Sequence, residues 1–108
     1  MFVSKLRSAA SALGVELRFV RSPEALLEQA RHSAPALLVL DLNADRLQPL
    51  DMVAALRADA SLSGTRTVGF VSHVEADRID AARAAGVDAV LGRSAFVAQL
   101  PSILAAGA

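Results

Sequence analysis

Three side chains that could do chemistry stand at the ends of short apolar segments in this chain. Asp41 ends one such segment, Ser72 ends a second, and Arg93 comes shortly after a third. The carboxyl ends of parallel strands share one edge of a sheet, where α/β proteins place their ligand-binding and reactive groups. The sequence therefore predicts that an acid, a hydroxyl and a guanidinium converge at that edge.

The segment before Asp41 carries the strongest structural signal. Its residues Ala36-Leu37-Leu38-Val39-Leu40 are all apolar, and such a run is typical of a strand buried on both faces. Helical and extended patterns alternate around it. We predict helices over residues 2–13, 23–32, 50–60 and 75–85 and from Ser94 onward, and strands over 15–20, 37–41, 67–72 and 87–91. This alternation predicts an α/β protein with a doubly wound parallel sheet of four strands and five helices.

The bulk composition excludes several classes of function. The 108 residues predict a single domain, residues 1–108, and 11 basic residues balance 11 acidic ones, so no global charge favours nucleic acid or an anionic membrane. The absence of cysteine excludes a disulfide framework and a thiol nucleophile. The apolar run ending at Leu40 is far shorter than the ~20 residues of a membrane span. These observations predict a cytoplasmic domain that binds neither nucleic acid nor membrane.

The order of elements and the three polar positions together resemble the receiver (CheY-like) domain of bacterial response regulators, over essentially the whole chain. In receivers an aspartate ending the third strand accepts a phosphoryl group, a Ser or Thr ends the fourth strand, and a lysine follows the fifth. The matching segments are Leu38-Val39-Leu40-Asp41-Leu42-Asn43, Val71-Ser72 and Gly86-Val87-Asp88-Ala89-Val90-Leu91-Gly92-Arg93-Ser94. The resemblance implies a flavodoxin-like fold with Asp41 at the phosphoacceptor position, Ser72 at the hydroxyl position and Arg93 at the lysine position.

The resemblance is degenerate at the metal site. Receivers begin with a strand that ends in adjacent acidic residues holding Mg²⁺, whereas this chain starts at the first helix and has no two adjacent acidic residues. Asp41 and Asn43 are weak candidate ligands, because Mg²⁺ requires near-octahedral oxygen coordination that includes carboxylates. Arg93 keeps the positive charge of lysine but not its compact ammonium. We predict no cofactor for the chain as written, and Mg²⁺ if an acidic first strand lies upstream.

Each of these residues also has a purely structural interpretation. Asp41 could accept hydrogen bonds from loop amides or pair with Arg93. The spacing of Ser72 and Glu75 fits a capping box, which would explain both residues without chemistry, and we favour that interpretation. His73 follows Ser72 directly, and adjacent residues in one turn do not form a useful nucleophile and base pair.

The missing first strand has a structural consequence. In a receiver sheet of order 2-1-3-4-5 that strand lies at the centre, so its absence leaves the strand ending at Asp41 with an exposed apolar edge. The natural chain could extend upstream of Met1, or a partner or second copy could supply the strand by β-augmentation. We favour these two over a third arrangement, in which residues 15–20 pair directly with the Asp41 strand. A homo-oligomer through the exposed edge is therefore one expectation.

Three functions remain open at this point. The main prediction is an atypical receiver-like signalling domain that is not an enzyme and is not phosphorylated as written. It would act by binding a protein partner, such as a histidine kinase or another signalling protein, through the helix 75–85, the last strand and the closing helix. The alternative is a functional single-domain receiver that is phosphorylated on Asp41 and whose first strand is missing from this sequence. A small flavodoxin-like enzyme or cofactor binder is the third hypothesis, although no cofactor motif supports it.

Overall fold

After two successive helices, strands and helices alternate along the rest of the described chain. The computed structural model of the protein describes residues 2–72 and 75–107. The elements are α1 (Phe2–Leu13), α2 (Pro23–His32), β1 (Leu37–Asp41), a 3-10 turn (Asp45–Leu47), α3 (Pro49–Ala58), β2 (Arg66–Val71), α4 (Ala76–Ala85), β3 (Ala89–Gly92) and α5 (Arg93–Gly107). The predicted helices are all present, and α3 ends two residues earlier than the sequence pattern indicates.

The sheet is parallel, in the order β1-β2-β3, and helices cover both of its faces. One apolar cluster joins α2, α3 and α4 to one face through buried residues that include Leu38, Leu40 and Leu56. A second cluster joins α1 and α5 to the other face, where the rings of Phe70 and Phe96 stack with centroids 4.9 Å apart. The doubly wound parallel α/β prediction is therefore confirmed.

The sheet has three strands in the described residues instead of the predicted four, because residues 15–20 form no ladder. The segment is extended, and its apolar side chains pack in the predicted alternation, with Val15 and Leu17 against the α1/α5 cluster. Phe19 departs from the pattern: it is 49% exposed, and the Arg7 guanidinium lies 5.1 Å from its ring centroid. An alternating pattern determines which side chains of a segment face the core, but a strand also needs a neighbouring backbone to pair with. Residues 15–20 have none within reach, because a groove separates them from β1.

Local signals set several element boundaries as the sequence predicts. The Ser22 hydroxyl accepts a hydrogen bond from the Ala25 amide at 3.1 Å, and Pro23 opens α2. Gly86 ends α4 with φ of 108°, a conformation that favours glycine. Pro101 lies inside α5, which continues to Gly107.

A close approach near the middle of the sheet requires a glycine. A Cβ atom placed on Gly69 in β2 would lie 2.7 Å from the Cδ1 atom of Leu42. Leu42 is buried and follows β1 directly, so it has little room to move away. The missing side chain at residue 69 therefore allows the chain after β1 to fold down onto β2.

Candidate functional site at the carboxyl ends of the strands

The three residues singled out from the sequence lie at the same edge of the sheet. Asp41 is the last residue of β1, Ser72 directly follows β2, and Arg93 directly follows β3 as the first residue of α5. The parallel register, with Asp41 opposite Phe70 and Val71 opposite Gly92, places these three ends side by side. Their roles as phosphoacceptor, hydroxyl and lysine positions remain predictions.

A polar side chain ties the loop after β1 to the end of β2. The backbone amide of Asn43 donates to Oδ1 of Asp41 at 3.0 Å. The side-chain Oδ1 of Asn43 accepts from the backbone amide of Ser72 at 2.6 Å. The carboxylate of Asp41 therefore accepts from a loop amide, which is one of the structural interpretations given above. Asn43 holds the two strand ends at a fixed spacing, so the edge is a defined shape and not two independent loops.

Arg78 was not identified from the sequence, although it braces the same loop. Its Nη1 donates to the Leu42 carbonyl at 2.7 Å and to Oδ1 of Asp45 at 3.0 Å. Its Nε atom, which is buried and has no hydrogen-bond partner among the described residues, lies 3.7 Å from Oε1 of Glu75. The hydrogen bond to Asp45 is the main cause of a raised pKa for Arg78, with the charge of Glu75 acting in the same direction. The spacing from Glu75 suits a helical ion pair, but nothing local to Arg78 indicates a contact 36 residues away.

The capping-box interpretation of Ser72 is wrong. Helix α4 begins at Ala76 with Glu75 as its N-cap residue, and within the described residues the Glu75 side chain makes no capping hydrogen bond. A capping box needs its serine at the N-cap position, three residues before the glutamate. The Ser72 amide, which in a capping box would donate to the glutamate side chain, instead donates to Asn43. His73 lies outside the described residues.

The donor atoms at this edge do not fit a Mg²⁺ site. Within residues 2–72 and 75–107, no group of three or more His, Cys, Asp or Glu side chains could hold a metal ion. Of the weak candidates, Asn43 already uses its side-chain oxygen to hold Ser72, and the neighbouring Leu42 carbonyl accepts from Arg78. Mg²⁺ demands near-ideal octahedral oxygen coordination, which Asp41 cannot supply alone.

A second polar cluster, also missed from the sequence, lies at the opposite end of the strands. Arg57 on α3 donates through Nη1 to the carbonyls of Ser63 at 2.8 Å and Thr65 at 2.6 Å. Its Nη2 lies 3.0 Å from the Gly86 carbonyl, 3.1 Å from Oδ2 of Asp88 and 3.2 Å from the hydroxyl oxygen of Thr67.

Thr67 and Asp88 complete this cluster, and the backbone amide of each donates to the side chain of the other. The Thr67 amide donates to Oδ2 of Asp88 at 2.8 Å, and the Asp88 amide donates to the Thr67 hydroxyl oxygen at 2.9 Å. Burial raises the pKa of Asp88, but the hydrogen bonds from Thr67 and the charge of Arg57 outweigh it, so the net pKa is lowered. Asp88, part of the segment that matched the receiver motif, thus joins the start of β2 to the start of β3.

Solved structures with a similar fold are response regulators. The phosphorylated cyanobacterial phytochrome response regulator RcpA matches with a TM-score of 0.75 and 22% identity, over 94% of this chain and 79% of that one. The Mn²⁺-bound form of response regulator Rcp1 matches with a TM-score of 0.70 and 17% identity, over 93% and 84%. Response regulator RPA3017, from red light signalling of R. palustris, matches with a TM-score of 0.70 and 25% identity, over 93% and 81%.

Sequence comparison adds no further relatives, since no protein-family model and no curated protein matches the chain. None of the helices in the described part of the chain has the length and apolar character that a bilayer span requires. The alignment to three response regulators covers nearly all of the chain and includes both helical layers. The protein therefore has the CheY-like receiver fold of response regulators, with three strands in its described residues.

Proposed function

We propose that this chain is an atypical receiver-like signalling domain, which binds a protein partner in the cytoplasm and does not catalyse turnover. The observation that carries the proposal is the engagement of the oxygen atoms near Asp41 that a metal ion would need as ligands. The chain supplies the carboxylate at the phosphoacceptor position, but the oxygens beside it are already engaged by Arg78 and by the Ser72 amide. On this proposal Asp41 does not accept a phosphoryl group.

The physical reason lies in the charge that develops during phosphoryl transfer. That charge is spread over the transferred oxygens and needs a cation that bridges them to the acceptor carboxylate. RcpA is described in a phosphorylated form and Rcp1 in a Mn²⁺-bound form. In this chain Arg78 is directed to the Leu42 carbonyl and Asp45, where its charge fixes the loop instead of serving a phosphoryl group.

We further propose that the partner binds the face formed by α4, β3 and α5. In the described residues β3 pairs with β2 alone, so its other edge is open to a partner. The exposed residues of α4 and α5 include several alanines, namely Ala81, Ala84, Ala95 and Ala98. Arginine is enriched in protein interfaces, and Arg83 is exposed on α4, where its charge can contribute to specificity.

Phosphorylation is tested by incubating the protein with acetyl phosphate and Mg²⁺ and measuring its intact mass. We expect no gain of a phosphoryl group in the wild type and none in the Asp41→Asn control. A gain that disappears in Asp41→Asn would show that Asp41 is a working acceptor and would favour the single-domain receiver alternative.

The binding face is tested by titrating purified phosphotransfer domains of histidine kinases into the protein by calorimetry. We expect Arg83→Glu, on the exposed side of α4, to weaken binding about tenfold, which corresponds to about 1.4 kcal/mol for reversing one charge at the edge of the interface. Glu28→Arg, on the exposed side of α2, is the matched charge reversal and should leave affinity unchanged. The reverse pattern would assign the contact to the α2 side of the molecule.

A further inference from the structure

Helix α4 is held to the sheet by little apolar packing. Its one buried side chain in the described residues is Ala82, and Ile79 is partly buried against the same apolar cluster. Helix α3, of the same length, buries Met52, Val53 and Leu56. A helix of 10 residues is marginal on its own in water, so its stability has to come from contacts with the rest of the protein. Apolar contacts supply only a small part of that stability for α4.

The two ends of α4 are held in different ways. At the carboxyl end, Gly86 has the left-handed conformation of a helix stop, and the Val87 amide donates to the Ala82 carbonyl at 3.0 Å. At the amino end, the Glu75 side chain makes no capping hydrogen bond within the described residues. The amino-terminal half of α4 therefore depends on a contact from elsewhere in the chain.

Arg78, the third residue of α4, makes that contact. Its Nη1 atom donates to the Leu42 carbonyl at 2.7 Å and to Oδ1 of Asp45 at 3.0 Å. Both acceptors belong to the loop after β1, residues 42–48. Leu42 is buried and Arg78 is half-buried, and hydrogen bonds from a charged donor are stronger than those between neutral groups. A single nitrogen atom therefore ties the first turn of α4 to a loop that lies on the other side of β2.

We propose that Arg78 is a positioning residue, which holds α4 against the loop after β1, and that α4 separates locally from the domain when these two hydrogen bonds are lost. Proteins open in local units, and a helix with few buried contacts opens more readily than the core. The regulatory consequence rests on the proposed function: a partner binds the face formed by α4, β3 and α5 only while α4 is docked. Its apparent affinity then falls as the released fraction rises.

Hydrogen exchange followed by mass spectrometry tests the Arg78 contact in the full chain, with no partner present. Arg78→Met keeps an unbranched side chain of similar helix propensity and removes the donors. We expect the amides of α4 to exchange about tenfold faster than in the wild type, equivalent to about 1.4 kcal/mol, with the middle of β2 unchanged. Arg83→Met makes the same substitution on the exposed side of α4 and is the matched control, so its α4 amides should exchange as in the wild type.

Two results of this measurement would overturn the proposal. Equal exchange of α4 in Arg78→Met and Arg83→Met would show that Arg78 does not hold the helix. Acceleration by the same factor in α4 and in the middle of β2 would show that Arg78 contributes only to global stability, and that α4 does not open as a separate unit.

A double variant tests whether Arg78 acts through the loop after β1. Asp45→Ala removes one acceptor and should accelerate exchange of α4 about threefold, a smaller factor because the Asp45 carboxylate is exposed. Arg78→Met/Asp45→Ala should exchange no faster than Arg78→Met alone, since the donor to that carboxylate is already gone. Multiplication of the two factors would overturn the proposed contact. Failure to find a phosphotransfer domain that binds would count against the proposed function only, because the exchange measurements need no partner.

Discussion

The two ends of the three-stranded sheet are both polar, but they are built in opposite ways. At the amino ends, Arg57, Thr67 and Asp88 bind one another and the surrounding carbonyls, and Thr67 is 0% exposed. At the carboxyl ends, Asp41 and Ser72 each make a contact with one loop residue, Asn43. The contacts at the amino ends surround a fully buried side chain, whereas those at the carboxyl ends lie around the exposed Ser72 and the half-buried Asn43.

This difference separates the part of the molecule that stabilises the fold from the part available for binding. Buried polar groups that satisfy one another rigidify a site, and removing one of them leaves its partners without hydrogen bonds in a desolvated position. Groups at the carboxyl ends are nearer to water, which can replace a lost contact. We therefore expect stability to depend strongly on the amino-end cluster and only weakly on the carboxyl-end loop, and four measurements test this.

The largest effect is expected for Arg57→Ala. The substitution removes the donors to three backbone carbonyls, of Ser63, Thr65 and Gly86, so the free energy of unfolding should fall by about 3 kcal/mol. Urea denaturation at neutral pH measures it. Arg83→Ala, at an exposed site on α4, is the matched control and should change stability by less than about 0.5 kcal/mol. Similar losses in the two variants would mean that the cluster adds little.

Thr67→Val should have the next largest effect. The two side chains have nearly the same shape, so the change isolates the hydroxyl, which accepts from the Asp88 amide and from Arg57. Leaving these donors unsatisfied in a buried position should lower the free energy of unfolding by about 2 kcal/mol. Thr65→Val is a suitable comparison, because the Thr65 hydroxyl makes one longer contact, of 3.3 Å, with the Pro35 carbonyl. A stable Thr67→Val protein would contradict the importance of the hydroxyl.

Asn43→Ala should have a smaller and more local effect. It frees the Ser72 amide at the sheet edge, where water can take over, so we expect a loss of about 1 kcal/mol or less. Hydrogen exchange followed by mass spectrometry should show faster exchange at the end of β2, with the middle of β2 unchanged. Faster exchange throughout β2 would mean that the carboxyl end also holds the sheet together.

The smallest effect should come from the acid dependence of Asp88. Its pKa is lower in the folded chain than in the unfolded chain, so the contribution to stability is present above the unfolded value, near 3.8, and is lost as the pH falls through the folded value. The wild type should therefore lose stability below about pH 4 more steeply than Asp88→Asn. Urea denaturation at several pH values measures the slopes, and Asp77→Asn at the exposed start of α4 is the control. Parallel curves for wild type and Asp88→Asn would refute this linkage.

The sequence was sufficient for those features that depend on neighbours within a few residues. The cap at Ser22, the stop at Gly86 and the buried run before Asp41 each follow from local backbone chemistry, and together they predict the order of elements. That order, with parallel pairing, is enough to bring the three polar residues to one edge. It does not show which atoms they contact there.

The remaining features depend on contacts between distant parts of the chain. Arg57 meets Asp88 across 31 residues, and Arg78 meets Leu42 across 36, and no local pattern specifies either contact. The segment 15–20 has the alternation of a strand but lies across a groove from β1, so its pattern could not reveal that it lacks a partner. Ser72 matched the capping pattern, yet its amide is engaged by Asn43, a residue 29 positions away.

The glycine in the middle of β2 has a consequence for the candidate site. Leu42 occupies the space that a side chain at Gly69 would need, and Asp41 and Asn43 are its immediate neighbours along the chain. The absence of a Cβ atom at Gly69 therefore leaves room for the Leu42 side chain against β2, next to Asp41. A single methyl group at residue 69 would lie within 3 Å of the Leu42 side chain, so that side chain would have to shift directly beside Asp41.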